Sequence, residues 1–322
     1  MYFLGVDSGG TKTTALLVDA QTYNPVRTII LPAGNVAVIG KEAAQRLLSE
    51  ILAALDLKDK LGHITWATFA LAGTGRDEEN KTAAKIIQSA GIENFSLMTD
   101  AEILNYAVFE DEPGILLTAG TGSICVFKDK ENQYRQIGGW GYLLGDEGSG
   151  FDIGKRAIRA AVSDAELKKQ PSKLTGALLS FYGLNSPLDL ITLAYACENP
   201  QNKISSCAKL VCKLAEKGEP NAVKIIDSAV EALLLLGNRA IAESKSPAPY
   251  NVALAGSVLT EPSIVNTRFR DRAKRMGIPF QYMHQELHSA AAAVLYAVKM
   301  SGHPVSNILK NRLKQVTFQE RD

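Results

Sequence analysis

The chain has few cysteines, and those it has are not arranged as in a disulfide-rich protein. Only four occur among 322 residues, no two of them spaced as CxxC: Cys125, Cys197, Cys207 and Cys212. A disulfide framework is therefore not indicated, and the pattern favours a reducing cytosol as the compartment.

Excess charge and long apolar runs are missing as well. The formal net charge is +1, so nothing in the charge balance predicts a nucleic acid or an anionic membrane as a partner. The longest apolar helix-like run, 229–236, is interrupted by Glu231 and is far too short to span a bilayer. The chain opens on a strand-like run at residues 2–6 without a basic leader segment. We therefore expect a soluble cytoplasmic protein, long enough for two domains.

The chain also lacks a Walker A loop, since no GxxxxGK[ST] occurs in it. Its first glycine cluster, DSGGTKTT at residues 7–14, lies between the strand-like runs 2–6 and 15–19, which predicts a strand–turn–strand hairpin. A dinucleotide fingerprint or a Walker A loop would instead lead into a helix. The hairpin excludes both of those motifs.

This turn could nevertheless hold phosphate oxygens through backbone N–H groups, two hydroxyls and an ammonium group. The residues concerned are Gly9, Gly10, Thr11, Lys12 and Thr13. Asp7, at the end of the preceding strand, is placed to hold a magnesium ion through water. An ordinary hairpin without a ligand is the open alternative.

Two polar residues stand at predicted strand ends in the rest of the first 110 residues. Asn35 follows an extended run at 26–31 and could read a ligand hydroxyl or amide, or only stabilise its own turn. Asp100 follows a strand at 95–98 and opens a helix at 101–109, so it could cap that helix or act as a catalytic carboxylate. The pattern alone favours capping. The order of two strands and then alternating helices predicts a mixed sheet with helices on its faces.

The strand–hairpin–strand pattern then returns at residues 114–127. At an offset of 111, Gly9 falls on Gly120, Thr11 on Gly122 and Lys12 on Ser123. Two such hairpins could grip a polyphosphate from two sides.

A glycine-rich segment at 138–150, GGWGYLLGDEGSG, stands near the middle of the chain. Its six glycines allow close backbone approach to a ligand, and its Trp and Leu-Leu pair argue against a flexible linker. Beyond it, amphipathic helices are predicted through about residue 242, then a strand at 251–255 that ends at Gly256-Ser257, and an Ala-rich helix at 289–300. Residues 301–322 are polar and basic.

The four motifs DSGGTKTT, AGTGS (119–123), GGWGYLLGDEGSG and LAGSVL (254–259) together resemble the actin-like, hexokinase/heat-shock-type ATPase superfamily. More closely, they resemble the N-acetylglucosamine kinase branch of the BadF/BadG/BcrA/BcrD ATPases. The resemblance implies an α/β fold of two ribonuclease H-like domains, each a mixed five-stranded sheet with flanking helices, and a ligand cleft between them. We expect domains at 1–117 and 118–322, a helical insertion at about 151–242, and a last helix that packs back toward the N-terminal domain.

The resemblance also implies roles for individual residues. Asp100 matches the catalytic base that activates the 6-hydroxyl of an amino sugar, and Asp7 lies near Mg²⁺. The implied ATP contacts are Gly9, Gly10, Thr11, Lys12, Thr13, Gly120, Thr121, Gly122, Gly256 and Ser257. The implied sugar contacts are Asn35, Asp100, Gly138, Gly139, Trp140 and Asp146. A homodimer is expected, and Glu147 is left as a loop-bracing carboxylate or a partner of metal-bound water.

Two positions depart from the resemblance. An Asn-His-Trp run at the sugar loop of the animal enzymes is here Asn35-Val36-Ala37, and Ile124 stands where those enzymes have Asn. Glucosamine, N-acetylglucosamine, N-acetylmannosamine and N-acetylmuramic acid therefore all stay open as substrates, because one lost amide contact can change discrimination by a few kcal/mol.

Two other functions remain possible on the same fold. An activating ATPase of the BadF/BadG type would need cysteines for a [4Fe–4S] cluster, and the spacing found here does not match. A non-catalytic sugar- or nucleotide-binding protein is the other alternative.

Overall fold

The computed structural model describes residues 1–10, 12–34, 36–57, 60–129, 131–167, 170–196 and 199–318. Three residues named above, Thr11, Asn35 and Cys197, lie outside the described residues. Among the described residues, no helix combines the length and the apolar character that crossing a membrane requires.

The chain forms two compact units. The first contains Met1–Asp111 and Gln285–Asp322, and the second contains Glu112–His284. The predicted boundary after residue 117 differs from this division, because residues 115–117 pair with strands of the second sheet. Helices at the end of the chain, from residue 285 onward, belong to the first unit.

The first unit is built on a mixed five-stranded sheet. Its strands are β1 (Tyr2–Ser8), β2 (Lys12–Asp19), β3 (Pro25–Pro32), β4 (Ile64–Leu71) and β5 (Phe95–Met98). Their order is β3-β2-β1-β4-β5, with β1 antiparallel to β2 and parallel to β4, and β4 parallel to β5. Its helices are α1 (Val36–Ala54), α2 (Asp77–Ser89), α3 (Asp100–Phe109), α11 (Ser289–Met300) and α12 (Asn307–Lys314), with a short 3-10 turn at Leu61–His63. Numbering of the helices follows the whole chain.

The second unit repeats this plan. Its strands are β6 (Ile115–Ala119), β7 (Ser123–Lys128), β8 (Tyr134–Gly138), β9 (Tyr250–Ala255) and β10 (Phe280–Met283). Their order is β10-β9-β6-β7-β8, with β6 antiparallel to β7 and parallel to β9. Its helices are α4 (Gly150–Glu166), α5 (Lys173–Tyr182), α6 (Asp189–Tyr195), α7 (Pro200–Ser205), α8 (Ala208–Glu216), α9 (Pro220–Ser244) and α10 (Ile264–Arg275). The predicted fold class is confirmed.

Helix α11 packs unusually close to the first sheet. A Cβ added at Gly5, in the middle of β1, would collide with the Ala290 carbonyl oxygen and with the backbone and side chain of Val294. The small side chains of α11 allow this approach, and Ala290 to Leu295 are all fully buried. The alanine run is therefore a packing surface, and it places the first turn of α11 beside the end of β1.

We expect Gly5→Ala to destabilise the first unit by about 3 kcal/mol, because backbone atoms of α11 cannot move aside as a side chain can. Gly62→Ala is the control, since an added Cβ there meets no atom within 4 Å. Urea unfolding followed by the fluorescence of Trp66, in a Trp140→Phe background, measures the first unit alone. Equal losses in the two variants would contradict the close packing at Gly5.

Candidate active site

The first group of site residues lies at the carboxyl ends of three parallel strands. Asp7 of β1 pairs with Ala70 of β4, and Ala70 pairs with Met98 of β5. Asp100 follows Met98 by two residues, so Asp7 and Asp100 stand at the same edge with one strand between them. The sheet therefore brings together two carboxylates that are 93 positions apart in the sequence.

Asp7 lies in a largely buried position, and its surroundings oppose its negative charge. Burial and the charge of Asp100 raise the pKa of Asp7 to about 7, while a hydrogen bond with the Ser289 hydroxyl and the charge of Lys12 act in the other direction. Sequence reasoning missed Ser289, which opens α11. The only sequence signal was a polar residue at the head of an alanine run.

The prediction that Asp100 caps α3 is wrong, because Thr99 is the cap. The Thr99 hydroxyl accepts a hydrogen bond from Glu102 N at 3.1 Å, and the Glu102 carboxylate accepts one from Thr99 N at 2.8 Å. This reciprocal capping box satisfies the first turn of the helix. It leaves Asp100 as the first helical residue.

The carboxylate of Asp100 is accordingly available for another role. It is accessible to solvent, and its Oδ1 accepts a hydrogen bond from Ala101 N at 3.0 Å. Burial of the group raises its pKa, and hydrogen bonds from the backbone N–H groups of Ala101 and Asp100 lower it. A raised pKa lies closer to the working pH, and a general base works best when its pKa is near that pH.

The first glycine hairpin has an internal and an external face. Gly9 N donates to Lys12 O at 3.0 Å and closes the turn, while Gly10 and Lys12 are exposed. Thr13 is fully buried, and its hydroxyl bonds the Ser8 hydroxyl at 2.7 Å. Thr13 therefore shapes the turn from inside and does not present its hydroxyl to a ligand, unlike the predicted direct contact.

The segment that leads to Asn35 is tied to this hairpin. Gly34 N donates to Gly9 O at 3.2 Å, and a Cβ at Gly34 would collide with the Ser8 hydroxyl. Only glycine therefore fits at this position.

His288 caps α11 next to this group. Its Nδ1 accepts a hydrogen bond from Ala290 N at 3.2 Å, and its ring stacks on Phe318 at a centroid distance of 4.0 Å. Burial, with a smaller contribution from the positive Lys12, lowers the pKa of His288 to about 4. The ring is therefore neutral at pH 7. The stacking contact places Phe318 beside the N-terminus of α11.

In the second unit, two loops meet at the carboxyl ends of β6 and β9. Thr118 pairs with Ala255, and the loops 120–122 and 256–257 follow these strands directly. A Cβ at Gly256, whose φ is +84°, would collide with the Ala119 carbonyl, and Val258 N donates to the same carbonyl at 2.9 Å. The predicted phosphate and adenosine loops are therefore in direct contact.

The loop 120–122 turns its carbonyls inward. Gly150 N donates to Gly120 O at 2.7 Å, and Phe151 N donates to Thr121 O at 3.2 Å. Among the described residues, the N–H groups of Thr121 and Gly122 make no backbone hydrogen bond. Two adjacent free N–H groups on a glycine turn can bind an anion.

The glycine-rich loop 138–150 is fixed at its start and exposed at its tip. A Cβ at Gly138 would be 2.9 Å from Leu236, and one at Gly139 would be 2.8 Å from Ile124. Beyond this start, the side chains of Trp140, Leu143 and Leu144 are 69%, 80% and 81% exposed. The predicted sugar contact Trp140 thus stands on an apolar surface that no other described part of the protein covers.

Asp146 points back from this loop to the loop 120–122. Its side chain is buried, and a Cβ at Gly122 would lie 2.6 Å from its Oδ2. Burial raises the pKa of Asp146, N–H groups of Ser123 and Gly141 lower it, and the charge of Glu147 raises it. Glu147 itself is exposed, and its carbonyl accepts a hydrogen bond from the Ser123 hydroxyl at 2.8 Å.

The three cysteines that the structure describes do not form a cluster site. Cys125 and Cys207 are buried and Cys212 is partly buried, and burial raises the pKa of all three thiols. In the part of the chain that the structure describes, no group of three or more His, Cys, Asp or Glu side chains could hold a metal ion.

Comparison with known proteins gives consistent matches over most of the chain. The sequence model of the BadF/BadG/BcrA/BcrD ATPase family matches residues 4–297. An N-acetylmuramic acid/N-acetylglucosamine kinase of Clostridium acetobutylicum is 31% identical over 276 residues, which are 84% of this chain and 89% of that protein. An N-acetyl-D-glucosamine kinase of Dictyostelium discoideum is 29% identical over 252 residues, 74% of this chain and 79% of that protein.

Among solved structures, a Chromobacterium violaceum protein described as a candidate N-acetylglucosamine kinase superposes with a TM-score of 0.72 at 24% identity. The superposition covers 91% of this chain and 98% of that one. At this level of identity the likeness concerns the fold.

We expect His288→Asn to reduce the loss of unfolding free energy that occurs as the pH falls below 6.5. Because the folded-state pKa of His288, about 4, lies below the ordinary value of 6.5, the unfolded chain takes up the proton first as the pH falls. Stability is therefore fully present above pH 6.5 and is lost toward pH 4, by about 2–3 kcal/mol more in the wild type than in the variant. Asparagine keeps the helix cap without a titrating group. Urea unfolding at pH 7, 5 and 4 with the Trp66 reporter measures the difference, and parallel profiles would contradict it.

Proposed function

Because the chain belongs to the BadF/BadG/BcrA/BcrD ATPase family, we propose that it is an ATP-dependent amino-sugar kinase. The observation that carries this proposal is the state of Asp100, a solvent-accessible carboxylate that the Thr99–Glu102 capping box releases from helix capping. The kinase relative that is 31% identical supports the same reaction class.

Asp100 is the proposed general base. A sugar hydroxyl that attacks the γ-phosphoryl group must lose its proton as the new P–O bond forms, and a carboxylate within hydrogen-bond reach can accept it. The 6-hydroxyl of the sugar is the proposed acceptor. Asp100 also positions that hydroxyl, which lowers the entropic cost of an in-line attack.

The glycine loops are the proposed nucleotide contacts. The N–H groups of Thr121 and Gly122, which make no backbone hydrogen bond to any described residue, suit the phosphate oxygens, where charge develops in the transition state. Gly256 and Ser257 are assigned to the nucleoside. On the first hairpin, exposed Gly10 and Lys12 can meet a phosphate directly, and Gly9 and Thr13 hold the turn in shape.

The residues present fit a magnesium ion. Asp7 is an oxygen donor whose pKa is raised first by burial and then by the charge of Asp100, and a divalent cation beside Asp7 would relieve that repulsion. Magnesium would neutralise phosphate charge, with Asp7 holding it through water.

The proposed sugar contacts are Gly138, Gly139, Trp140 and Asp146, together with Asn35. Gly139 N is already bonded to Ser123 O at 3.0 Å, so the carbonyl of Gly139 is the polar backbone group that it can offer a ligand. Ile124 packs where a Gly139 side chain would be and gives this surface an apolar character. We take N-acetylglucosamine and N-acetylmuramic acid, the sugars in the name of the bacterial relative, as the proposed substrates.

The proposal also includes a homodimer and a cytoplasmic location. Light scattering of the purified protein and fractionation of cells test these two points.

We expect Asp100→Asn to lower kcat by about 10²–10⁴-fold with no change in nucleotide affinity, because the amide cannot accept the proton. Asp77→Asn is the matched control, since Asp77 is also the first residue of a helix in the same unit. Both variants lose a similar interaction with a helix N-terminus. A coupled ADP assay measures turnover, and an Asp100→Asn variant that keeps most of its turnover would exclude Asp100 as the base.

We expect Ile124→Asn to shift preference toward N-acetylglucosamine over N-acetylmuramic acid by about tenfold in kcat/KM, because the amide suits the acetamido group better than the larger ether substituent. The KM for ATP serves as the internal control and should stay the same. The assay panel also contains glucosamine, N-acetylmannosamine and glucose. An unchanged ratio of the two acetylated sugars would remove Ile124 from the specificity determinants.

A further inference from the structure

Helix α11 runs along one face of β1 in the direction opposite to the strand. Near the start of β1, Phe3 contacts the ring of His303, which follows the end of the helix, at a centroid distance of 5.4 Å. Further along the same face, a Cβ added at Gly5 would lie 2.6 Å from the backbone nitrogen of Val294, in the middle of the helix. A strand advances by about 3.4 Å per residue and a helix by about 1.5 Å. The next residue on this face of β1, Asp7, therefore meets the first turn of α11.

The first turn of α11 offers Asp7 a hydroxyl that is not needed for helix capping. A serine at the start of a helix ordinarily caps it. Here the cap is His288, whose Nδ1 accepts a hydrogen bond from Ala290 N at 3.2 Å. Ser289 is the first residue inside the helix, and its hydroxyl donates a hydrogen bond to the Asp7 carboxylate. The capping by His288 thus makes the Ser289 hydroxyl available to Asp7.

A second hydroxyl stands beside Asp7 without binding it. Thr14 is directly opposite Asp7 in the antiparallel pair of β1 and β2, so the two side chains lie on the same face of the sheet. Thr14 is 1% exposed, and its hydroxyl makes no hydrogen bond to any described residue. Of these two neighbouring hydroxyls, the one on Ser289 is therefore the one that orients the carboxylate.

The orientation of a carboxylate matters where it has to bind a metal ion through water. A hydroxyl that donates to a carboxylate leaves the carboxylate with oxygen lone pairs that can accept a hydrogen bond from metal-bound water. Burial and the charge of Asp100 oppose the negative charge of Asp7, and the Ser289 hydroxyl favours it. Ser289 thus supports both the direction and the charged form of the Asp7 side chain.

We propose that Ser289 is a positioning residue for the divalent cation that accompanies ATP: it fixes the Asp7 carboxylate in the orientation that binds the ion. This inference rests on the magnesium site of the proposed function and adds to it a residue from the far end of the chain. Hydrogen-bond partners of metal-binding carboxylates typically change metal affinity by about 10- to 100-fold when they are removed.

The test measures binding of Mn²⁺ to the full-length protein saturated with ADP, by electron paramagnetic resonance. We expect Ser289→Ala to raise the Kd for Mn²⁺ by about tenfold or more. The affinity for ADP in EDTA should stay the same, because the hydroxyl acts on the metal site. In the coupled ADP assay, the KM for Mg²⁺ should rise while kcat at saturating Mg²⁺ is kept.

Further variants separate positioning from a general structural effect. Ser289→Thr keeps the hydroxyl and should bind Mn²⁺ as the wild type does. Ser289→Cys keeps the approximate size but offers only a weak S–H donor, so its Mn²⁺ affinity should fall even if Ser289→Ala does not fold. Thr14→Val is the matched control, because it removes a buried hydroxyl beside Asp7 that makes no hydrogen bond to a described residue. It should leave the Mn²⁺ affinity unchanged.

A double-mutant comparison shows whether Ser289 acts through Asp7. In an Asp7→Asn background, Ser289→Ala should not weaken Mn²⁺ binding further, because the carboxylate that it orients is already gone. An equal loss in both backgrounds would overturn the inference, since Ser289 would then act by another route.

The remaining outcomes are distinct. If Ser289→Ala binds Mn²⁺ as tightly as the wild type, or if Ser289→Thr or Thr14→Val loses as much affinity as Ser289→Ala, the inference is overturned. The proposed function stands in those cases if the wild type phosphorylates amino sugars. If the wild type phosphorylates no sugar of the panel but binds Mn²⁺ with ADP in a manner that depends on Ser289, the kinase function fails and the positioning role stands.

Discussion

Parallel strand pairing is the constraint on which the rest of the structure depends. In each sheet the first strand forms a hairpin on one side and pairs in parallel with a later strand on the other, β1 with β4 and β6 with β9. Parallel strands end at the same edge, so residues from distant parts of the sequence must meet there. Asp7 and Asp100 meet at one such edge, and the loops 120–122 and 256–257 meet at the other. The glycines then allow the loops to touch, as Gly256 does against Ala119.

Helix capping decides what the Asp100 carboxylate can do. A carboxylate at a helix start is ordinarily used up in stabilising that helix. Here Thr99 and Glu102 satisfy the hydrogen-bonding groups of the first helical turn between them. The carboxylate of Asp100 is therefore available for another role. In the second unit the division is similar: buried Asp152 holds Gly148 and pairs with Arg156, while Asp146 faces the phosphate loop. Each unit thus separates a carboxylate that maintains structure from one that stands at the site.

The sequence pattern predicted the two hairpins and most helices, because these depend on local periodicity and on glycine positions, whereas the two five-stranded sheets followed from the resemblance to a known family. It failed where the answer depended on contacts between distant residues. Nothing near Thr13 shows that its hydroxyl pairs inward with Ser8, and nothing near the alanine run shows that Ser289 meets Asp7. The capping box at Thr99 was readable, since Thr-x-x-Glu is its signature. The unit boundary was misplaced because only the pairing of β6 reveals where the second sheet begins.

The contact between Gly5 and α11 also determines the order in which the protein can fold. The fourth residue after Met1 packs against residues 290 and 294, so the inner face of the first sheet stays uncovered until nearly the whole chain has been made. The second unit is one continuous segment and can fold earlier, while β1 waits for its helix. At about 5–20 residues per second of synthesis, that wait lasts for roughly 15 s or more. During this time the face of β1 that Ala290 and Val294 later cover has no helix packed on it.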